Sequence, residues 1–303
     1  MATEIYIVSG FLGAGKTTLI QKLLREAFQG EKIALIENDF GEISVDAALL
    51  KSGSVQVKEL NSGCICCSLA GDFGKAIEEL VCRFQPDKIV IEPSGVGKLS
   101  DIMKACSAPR LLALAEVQAK ITVADVKRCQ MYLDNFGEFF ADQIRYADAV
   151  VLSRTEDYPQ GIAAAQELIG SINPHAAILA KPWEQIAAGE IISRQPASGH
   201  FCHHGCGCGH HQTAEEAFET VTVRTKRTFS KDELKARAEK MARSANGTIL
   251  RAKGIVRGPD GYLNFQYLPG DVLVTDCASP GELLCFIGRN LNSQELVNLF
   301  SGA

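Results

Sequence analysis

The stretch VSGFLGAGKTTL, Val8 to Leu19, decides the fold because it joins a buried strand to a helix through a glycine-rich turn. Within it, residues 10–17 fit the pattern G-x-x-x-x-G-K-[ST] in full. Glycines let backbone amides converge on a phosphate at a helix N-terminus, where the helix dipole favours negative charge. The stretch therefore predicts a phosphate-binding loop, with Lys16 on the β- and γ-phosphates and the Thr17 hydroxyl on Mg²⁺.

Short apolar runs and longer amphipathic stretches alternate on both sides of this loop. The amphipathic stretches have the helical period, whereas the apolar runs are short enough to be buried strands. This alternation predicts a doubly wound, mostly parallel α/β sheet that binds its ligands beyond the carboxyl ends of the strands. The runs that we interpret as strands are Ile5–Val8, Ile33–Ile36, Val55–Leu60, Lys88–Ile91, Ile121–Ala124, Ala149–Leu152 and Ala177–Leu179.

The pattern fades near Lys181, and residues 188–214 are rich in Gly, Ser, Pro, His and Cys. Such a composition is typical of a flexible linker. Strand and helix patterns resume after it and predict a small α+β domain. We therefore predict three parts: a nucleotide-binding domain at 1–187, a His/Cys-rich linker at 188–214 and a C-terminal domain at 215–303. A length of 303 residues suits two domains.

Composition narrows the class of protein. With 46% hydrophobic and 22% charged residues the chain has ample material for a core, which excludes global disorder. A net charge of -5 offers no general attraction to nucleic acid or to an anionic membrane. No apolar run is long enough to span a bilayer, and the N-terminus lacks the features of a signal peptide, so we expect a cytoplasmic protein. The 11 cysteines are then expected to be thiols and metal ligands.

Two further segments follow predicted strands and suit a nucleotide. Glu92 directly follows the predicted strand KIVI, Lys88–Ile91, and can organise Mg²⁺, and the amide of Gly95 is placed to meet a γ-phosphate. In VVLSRTED, a carboxylate such as that of Glu156 accepts hydrogen bonds from guanine and repels the N1 acceptor of adenine. Ser153 lies beside it, and the aliphatic part of Arg154 can cover the ring of the base. The alternative is that Arg154 and Glu156 form a solvated ion pair.

Cysteine clusters predict a site for a soft metal. Cys64, Cys66 and Cys67 follow a strand and precede a helix, which lowers thiol pKa values and favours the metal-binding thiolate. Three thiolates suit Zn²⁺ and also accept Co²⁺, Ni²⁺ or Cu⁺. The alternative is a run of buried core cysteines. The isolated cysteines are expected to be buried structural thiols, and these are Cys82, Cys106, Cys129, Cys277 and Cys285.

The segment HFCHHGCGCGHH holds five of the 6 histidines of the chain. Its glycines oppose a rigid helix, so we interpret it as a flexible secondary tether for metal, the alternative being an accidental low-complexity linker. Its candidate ligands are His200, Cys202, His203, His204, Cys206, Cys208, His210 and His211.

In combination, the motifs GFLGAGKTT, ENDFGE, GCICC, EPSG, RAKGIVRGPDGYLNFQY and FIGRNL resemble the CobW-type P-loop GTPases. The resemblance covers nearly the whole chain and implies the P-loop NTPase fold and a GTPase that carries a transition metal. It places Lys16, Thr17 and Glu92 in catalytic roles, with Gly95 at the second phosphate motif. It also implies a metal motif at Cys64, Cys66 and Cys67, and carboxylates at Glu37, Asp39 and Glu42 in a switch segment. The phosphate loop then comprises Gly10, Gly13, Ala14, Gly15, Lys16, Thr17 and Thr18. Where the family usually has Asn-Lys-x-Asp, this chain has Ser153, Arg154, Thr155 and Glu156.

The resulting hypothesis is a GTP-hydrolysing metallochaperone that uses GTP and Mg²⁺ and delivers Zn²⁺ or Co²⁺ to a client metalloprotein. The cysteines lie between two segments that depend on the γ-phosphate, so hydrolysis can rearrange the metal ligands. Two alternatives remain open. One is an accessory GTPase that loads or reactivates a corrinoid-dependent enzyme, with a protein of that system as partner. The other is a passive His/Cys metal buffer.

Overall fold

The computed structural model describes residues 2–37, 56–59, 70–193, 217–243 and 247–301. These residues separate into two compact units, each built around its own β-sheet. Among the helices of the described residues, none is both long enough and apolar enough to cross a membrane.

The first unit contains a sheet whose seven described strands run parallel to one another. Their order across the sheet is β3-β2-β4-β1-β5-β6-β7. The strand that precedes the phosphate loop, β1, therefore lies in the middle, between β4 and β5. This sheet confirms the predicted α/β class. The strands are β1 (Thr3–Gly10), β2 (Ile33–Glu37), β3 (Gln56–Glu59), β4 (Lys88–Glu92), β5 (Ala115–Asp125), β6 (Ala149–Ser153) and β7 (Ala177–Leu179).

Seven α-helices of the first unit are described, and they pack against this sheet and one another. Alternate side chains of β1 enter different layers because successive residues of a strand point to opposite faces. Tyr6 and Val8 join a buried cluster with Leu19 and Leu23 of the helix that follows the loop. The helices are α1 (Lys16–Glu26), α2 (Ala70–Phe84), α3 (Leu99–Cys106), α4 (Pro109–Leu112), α5 (Cys129–Arg145), α6 (Ile162–Ile172) and α7 (Ala188–Ile192). Two 3-10 turns occupy Pro159–Gly161 and Trp183–Gln185.

The first five residues of the predicted flexible linker are helical in the structure, so the prediction is wrong for them. Ala188–Ile192 form α7 instead of irregular chain. Ala188 and Ile191 are buried in the same cluster as α1 because their apolar side chains cover that face of the sheet. The short length of the segment hid its helical period.

The isolated cysteines differ in their exposure. Cys106, Cys129 and Cys285 are buried, as predicted, and burial raises the pKa of both Cys106 and Cys129 to about 12. The prediction is wrong for Cys82, which is exposed on α2 because its position lies off the buried face of that helix. Cys277 is only partly buried.

The second unit is an antiparallel sheet of five described strands in the order β11-β10-β9-β12-β8. Two helices pack on it and bury a core around Phe265, Phe286 and Phe300. A sheet with helices on one side is the predicted α+β arrangement. Its elements are β8 (Glu219–Arg224), α8 (Lys231–Arg243), β9 (Thr248–Gly258), β10 (Gly261–Leu268), β11 (Asp271–Cys277), β12 (Leu283–Arg289) and α9 (Ser293–Ser301).

Candidate functional site

Polar side chains collect where the parallel strands of the first unit end. Glu37 of β2 is in register with Glu92 of β4, and Asp125 of β5 is in register with Ser153 of β6. Gly10 ends β1 between them. Because the carboxyl ends of parallel strands share one edge, segments distant in sequence meet here. This edge is the candidate site.

The phosphate loop between β1 and α1 has the backbone that its glycines allow. Gly10, Gly13 and Gly15 have φ values of 146°, 68° and 108°, a region that side chains rarely occupy. A Cβ on Gly10 would also lie 2.5 Å from the carbonyl oxygen of Val123. Glycine is therefore required at the point where the loop leaves the sheet.

The start of α1 has the features of an anion site. Gly15 precedes the helix without a side-chain cap, and the first turn contains no acidic residue. Lys16 is 5% exposed, Ala14 is buried and Thr18 is exposed. The helix dipole and a buried ammonium group thus favour a negatively charged ligand at this turn.

Glu92 and Thr17 converge beside this loop from β4 and α1. The Thr17 hydroxyl Oγ1 lies 3.2 Å from each carboxylate oxygen of Glu92. A hydroxyl and a carboxylate form the hard oxygen set that Mg²⁺ prefers. Next in the chain, Gly95 approaches the loop so closely that a Cβ there would lie 2.8 Å from Cδ2 of Leu12.

Asp125 organises the segment beyond β6. Its Oδ2 accepts hydrogen bonds from the guanidinium groups of both Arg128 and Arg154. Arg154 also donates to the carbonyl of Gly13 at 3.5 Å, so it connects this segment to the phosphate loop. Among the described contacts Arg154 pairs with Asp125 and not with Glu156, which is exposed. The alternative of an Arg154–Glu156 ion pair is therefore not what the structure shows.

The segment at β6 also contains a buried hydroxyl. Ser153 is 6% exposed, and its Oγ has no hydrogen-bond partner within the described part of the chain. Its Cβ lies 4.0 Å from where a Cβ on Gly15 would stand. Ser153 therefore lies against the phosphate loop with hydrogen-bonding capacity to spare.

Sequence reasoning missed Trp183, which packs against the phosphate loop at Gly15, where Ser153 also lies. Its indole Nε1 donates to the carbonyl of Leu152 at 2.7 Å. Its ring atom Cη2 lies 3.2 Å from the position of a Cβ on Gly15. The available signal was that the chain has 1 tryptophan, just after the last strand of the sheet.

The candidate metal ligands are only partly within the described residues. Glu37 ends β2 and is 5% exposed. The structure does not describe Asp39, Glu42, the three clustered cysteines or the His/Cys segment at 200–211. In the described part of the chain, no group of three or more metal-binding side chains forms a cluster. The strand that leads to the cysteines, β3, is three positions from β1, about 14 Å at the usual strand spacing.

Comparisons with known proteins agree with this geometry. Residues 4–180 match the family described as CobW/HypB/UreG, nucleotide-binding domain. Residues 218–303 match the cobalamin synthesis protein cobW C-terminal domain. Among the described residues, the first match lies in the first unit of the structure and the second match in the second unit.

Similar proteins carry names that refer to zinc. The zinc chaperone YeiR of Escherichia coli is 32% identical over 154 residues, 51% of this chain and 47% of YeiR. The zinc chaperone CobW of a Sinorhizobium species is 34% identical over 178 residues, 50% of each chain. The zinc-regulated GTPase metalloprotein activator 1 of Dictyostelium discoideum is 25% identical over 298 residues, 82% of this chain and 62% of that protein. The matches to YeiR and CobW span about half the length of each relative. The family match covers more than half of the chain and includes the phosphate loop and all seven parallel strands, so the chain belongs to the CobW/HypB/UreG nucleotide-binding family.

Proposed function

We propose that this chain is a GTP-hydrolysing metallochaperone that releases a transition metal to a client metalloprotein according to the bound nucleotide. The observation that carries the proposal is the pairing of Thr17 with Glu92 at the mouth of the phosphate loop, with both carboxylate oxygens 3.2 Å from the hydroxyl. Family membership and the names of the relatives support the metal role.

Nucleotide binding in this proposal uses the loop and the first turn of α1. The amides of Gly13, Ala14 and Gly15 bind the phosphates, and the Lys16 ammonium neutralises their charge. Thr17 and Glu92 would hold Mg²⁺, which when bound neutralises charge on the phosphates. Gly10 lies where the loop begins at the end of β1, and Thr18 lies in the first turn of α1. The amide of Gly95 would face the terminal phosphate.

Base recognition is assigned to the segment after β6. Arg154 is held over the loop by Asp125, with its guanidinium against the Gly13 carbonyl. In this position its aliphatic part can cover one face of a base. Ser153 and Glu156 supply the polar contacts, and a carboxylate at Glu156 favours guanine over adenine.

The metal site is assigned to Cys64, Cys66 and Cys67, with carboxylates of the switch segment at Glu37, Asp39 and Glu42. Zn²⁺ is the first metal to test because the relatives are named zinc chaperones, and Co²⁺ is the second. The His/Cys segment within the proposed linker 188–214 would act as a secondary collector. The nucleotide-binding domain would then span 1–187 and the C-terminal domain 215–303.

Coupling between the two sites follows from the order of the strands. The cysteines follow β3, and β2 and β4 lie between β3 and β1 in the sheet. Glu37 and Glu92 end these intervening strands in register. A change at the γ-phosphate that moves the Glu92 segment would therefore reach the metal segment across adjacent strand ends.

A metal titration with and without nucleotide tests the proposal. Zn²⁺ and Co²⁺ affinities are measured by competition with a chromophoric chelator for the nucleotide-free, GDP-bound and GTP-analogue-bound protein. We expect one tight site whose affinity differs about tenfold or more between the two nucleotide states. GTP hydrolysis should respond to the metal and should be lost in Lys16→Ala.

Cysteine variants and a deletion separate the alternatives. Cys66→Ala should abolish the tight site, whereas Cys82→Ala, a matched change at an exposed cysteine on α2, should keep it. Deleting residues 199–212 should leave the tight site in place. Loss of nearly all metal binding on that deletion, with a hydrolysis rate that ignores metal, would instead favour a passive buffer. Association with a corrinoid protein without tight Zn²⁺ binding would favour the accessory role.

A further inference from the structure

Helix α5 packs directly on the phosphate loop. The ring of Phe11 lies against Tyr132 and Phe136 of the helix, with centroid distances of 4.4 Å and 5.5 Å. The hydroxyl of Tyr132 donates to the carbonyl of Leu12 at 3.1 Å, and both residues are buried. The helix therefore fixes the loop by an aromatic contact and by a backbone hydrogen bond.

The same helix also holds the segment that follows Glu92. Nε2 of Gln143 donates to the carbonyls of Gly95 and Gly97, at 3.2 Å and 2.8 Å. One residue earlier, Oδ1 of Asp142 accepts the amide of Ser100 at 3.0 Å. Gln143 therefore restrains the backbone on both sides of Val96, and Asp142 restrains the start of the next helix.

The two segments held by α5 touch each other. A Cβ on Gly95 would lie 2.9 Å from the backbone nitrogen of Leu12, so the two backbones are in close contact. Tyr132 holds Leu12, and Gln143 holds Gly95. A single helix thus determines how both phosphate-facing segments meet.

Gln143 donates hydrogen bonds to the Gly95–Gly97 segment, while its own side-chain oxygen accepts none among the described residues. The side chain is 0% exposed, and both of its described hydrogen bonds are donated to carbonyls. Its Oε1 is buried without a hydrogen-bond partner among the described residues. Buried acceptors without partners are uncommon, and each one calls for an explanation. Holding the Gly95–Gly97 backbone provides one.

We propose that Gln143 is a positioning residue for GTP hydrolysis, an inference that rests on the GTPase function proposed above. By fixing the carbonyls of Gly95 and Gly97, its amide holds the peptide planes on both sides of Val96 and, through the Cα of Gly95, limits how far the Gly95 N–H assigned to the terminal phosphate can turn. GDP lacks that phosphate, so the interaction affects turnover of GTP and leaves GDP binding unchanged. Tyr132 supports the same contact from the other side through Leu12.

Steady-state hydrolysis by the full chain tests this role. Gln143→Met keeps the size of the side chain and removes both donated hydrogen bonds. We expect kcat to fall about 10- to 100-fold, as misplaced groups do, while the Kd for GDP stays within about twofold. Tyr132→Phe keeps the aromatic packing, loses only the bond to Leu12 and should lower kcat in the same direction.

Asn173→Leu is the matched control. Asn173 is also a buried amide. Its Nδ2 donates to the carbonyls of residues 144, 145 and 147, at and just beyond the C-terminal end of α5, and its Oδ1 accepts the amides of His175 and Ala176. Replacing it with an apolar side chain of similar size should lower the melting temperature at least as much as Gln143→Met, with kcat unchanged. The comparison separates positioning from loss of stability.

The outcomes are distinct. A kcat for Gln143→Met equal to that of the unaltered chain, or a fall in kcat matched by Asn173→Leu, overturns the positioning role and leaves the GTPase proposal intact. If Gln143→Met does not fold, Tyr132→Phe decides, and an unchanged kcat there overturns the inference. If the unaltered chain does not hydrolyse GTP, the proposed function fails first. Less than additive effects in the double variant would show that both residues act through one contact.

Discussion

At the scale of single residues, Asp125 determines how the segment after β6, which we propose to bind the base, meets the phosphate loop. Its side chain is 1% exposed and accepts hydrogen bonds from Arg128, which is 2% exposed, and from Arg154, which is 30% exposed. A buried carboxylate is tolerated because two guanidinium groups compensate its charge. Arg154 has a φ of 59°, an unusual value for a residue other than glycine, so the surrounding structure holds its backbone in the left-handed conformation.

Replacing Asp125 with asparagine removes the charge and keeps the shape. We expect Asp125→Asn to lower the free energy of unfolding by about 3–5 kcal/mol, because the buried guanidinium of Arg128 loses its ion pair with Asp125. Nucleotide affinity should fall as well, because Arg154 is released from the loop. Urea unfolding and a fluorescent GDP titration measure the two effects.

Asp134→Asn is the control, because Asp134 is exposed on α5 and accepts only from Gln130 in the described structure. It should change stability by less than about 0.5 kcal/mol. An Asp125→Asn variant with nucleotide affinity equal to that of this control would contradict the role of Asp125 in holding Arg154.

The glycines of the loop allow a second prediction at this scale. Gly10→Ala should cost about 2–4 kcal/mol of stability, because its φ of 146° disfavours a side chain and the new Cβ would meet the Val123 carbonyl at 2.5 Å. Gly170→Ala, within α6 and with nothing within 4 Å, should stabilise by about 0.5–1 kcal/mol. Thermal unfolding should show a lower melting temperature for Gly10→Ala and a higher one for Gly170→Ala. Equal shifts would refute the conclusion that the backbone at residue 10 requires glycine.

At the scale of elements, the short 3-10 turn Trp183–Gln185 follows the last strand of the sheet and packs against the phosphate loop. Trp183 bonds to the carbonyl that precedes Ser153 and packs beside Gly15. The turn continues into α7, whose apolar residues join the α1 cluster. These elements together pack against Gly15 of the loop and the apolar residues of α1.

This placement makes the tryptophan a built-in probe of the loop. The chain has 1 tryptophan, so its emission reports one position. Binding of GDP or GTP should change the intensity or wavelength of emission in a saturable way, with a Kd that matches calorimetry. Lys16→Ala should remove the change. Nucleotide binding measured by calorimetry without any change in emission would show that the ring does not sense the loop.

At the scale of the whole molecule, the sheet places the phosphate loop and the strand leading to the cysteines in one frame. All described strand pairs of the first unit are parallel, so their carboxyl ends share an edge. Glu37 and Glu92 end the two strands that lie between β1 and β3, the strand that precedes the cysteines in the chain. Within this frame a nucleotide and a metal can influence each other through adjacent backbones.

Thermodynamic linkage makes that influence reciprocal. If the GTP analogue changes Zn²⁺ affinity tenfold, Zn²⁺ must change affinity for the analogue tenfold, a coupling of about 1.4 kcal/mol. Calorimetric titration of the analogue with and without Zn²⁺ measures it, and Cys66→Ala should remove the effect while Cys82→Ala keeps it. An analogue affinity that does not change with Zn²⁺, alongside a nucleotide-dependent Zn²⁺ affinity, would mean that the titrations report different sites.

The sequence by itself determined the strand–loop–helix unit around Lys16, the mostly parallel sheet and the α+β class of the second unit. These are encoded locally: glycines permit the loop backbone, and the period of apolar residues selects strand or helix. The position of Glu92 was also predictable, because it ends a strand whose carboxyl end must lie beside the loop. The exposure of Cys82 and the helix at Ala188–Ile192 were not, because burial depends on which faces other elements cover.

Only the tertiary structure decided which side chains meet across elements. Arg154 lies 29 residues from Asp125, and Gln143 lies 48 residues from Gly95, so no local sequence pattern predicts either contact. Trp183 likewise reaches the loop only after the last strand joins the sheet. Such contacts depend on strand order and helix packing, which set the final separation of groups that have no local influence on one another.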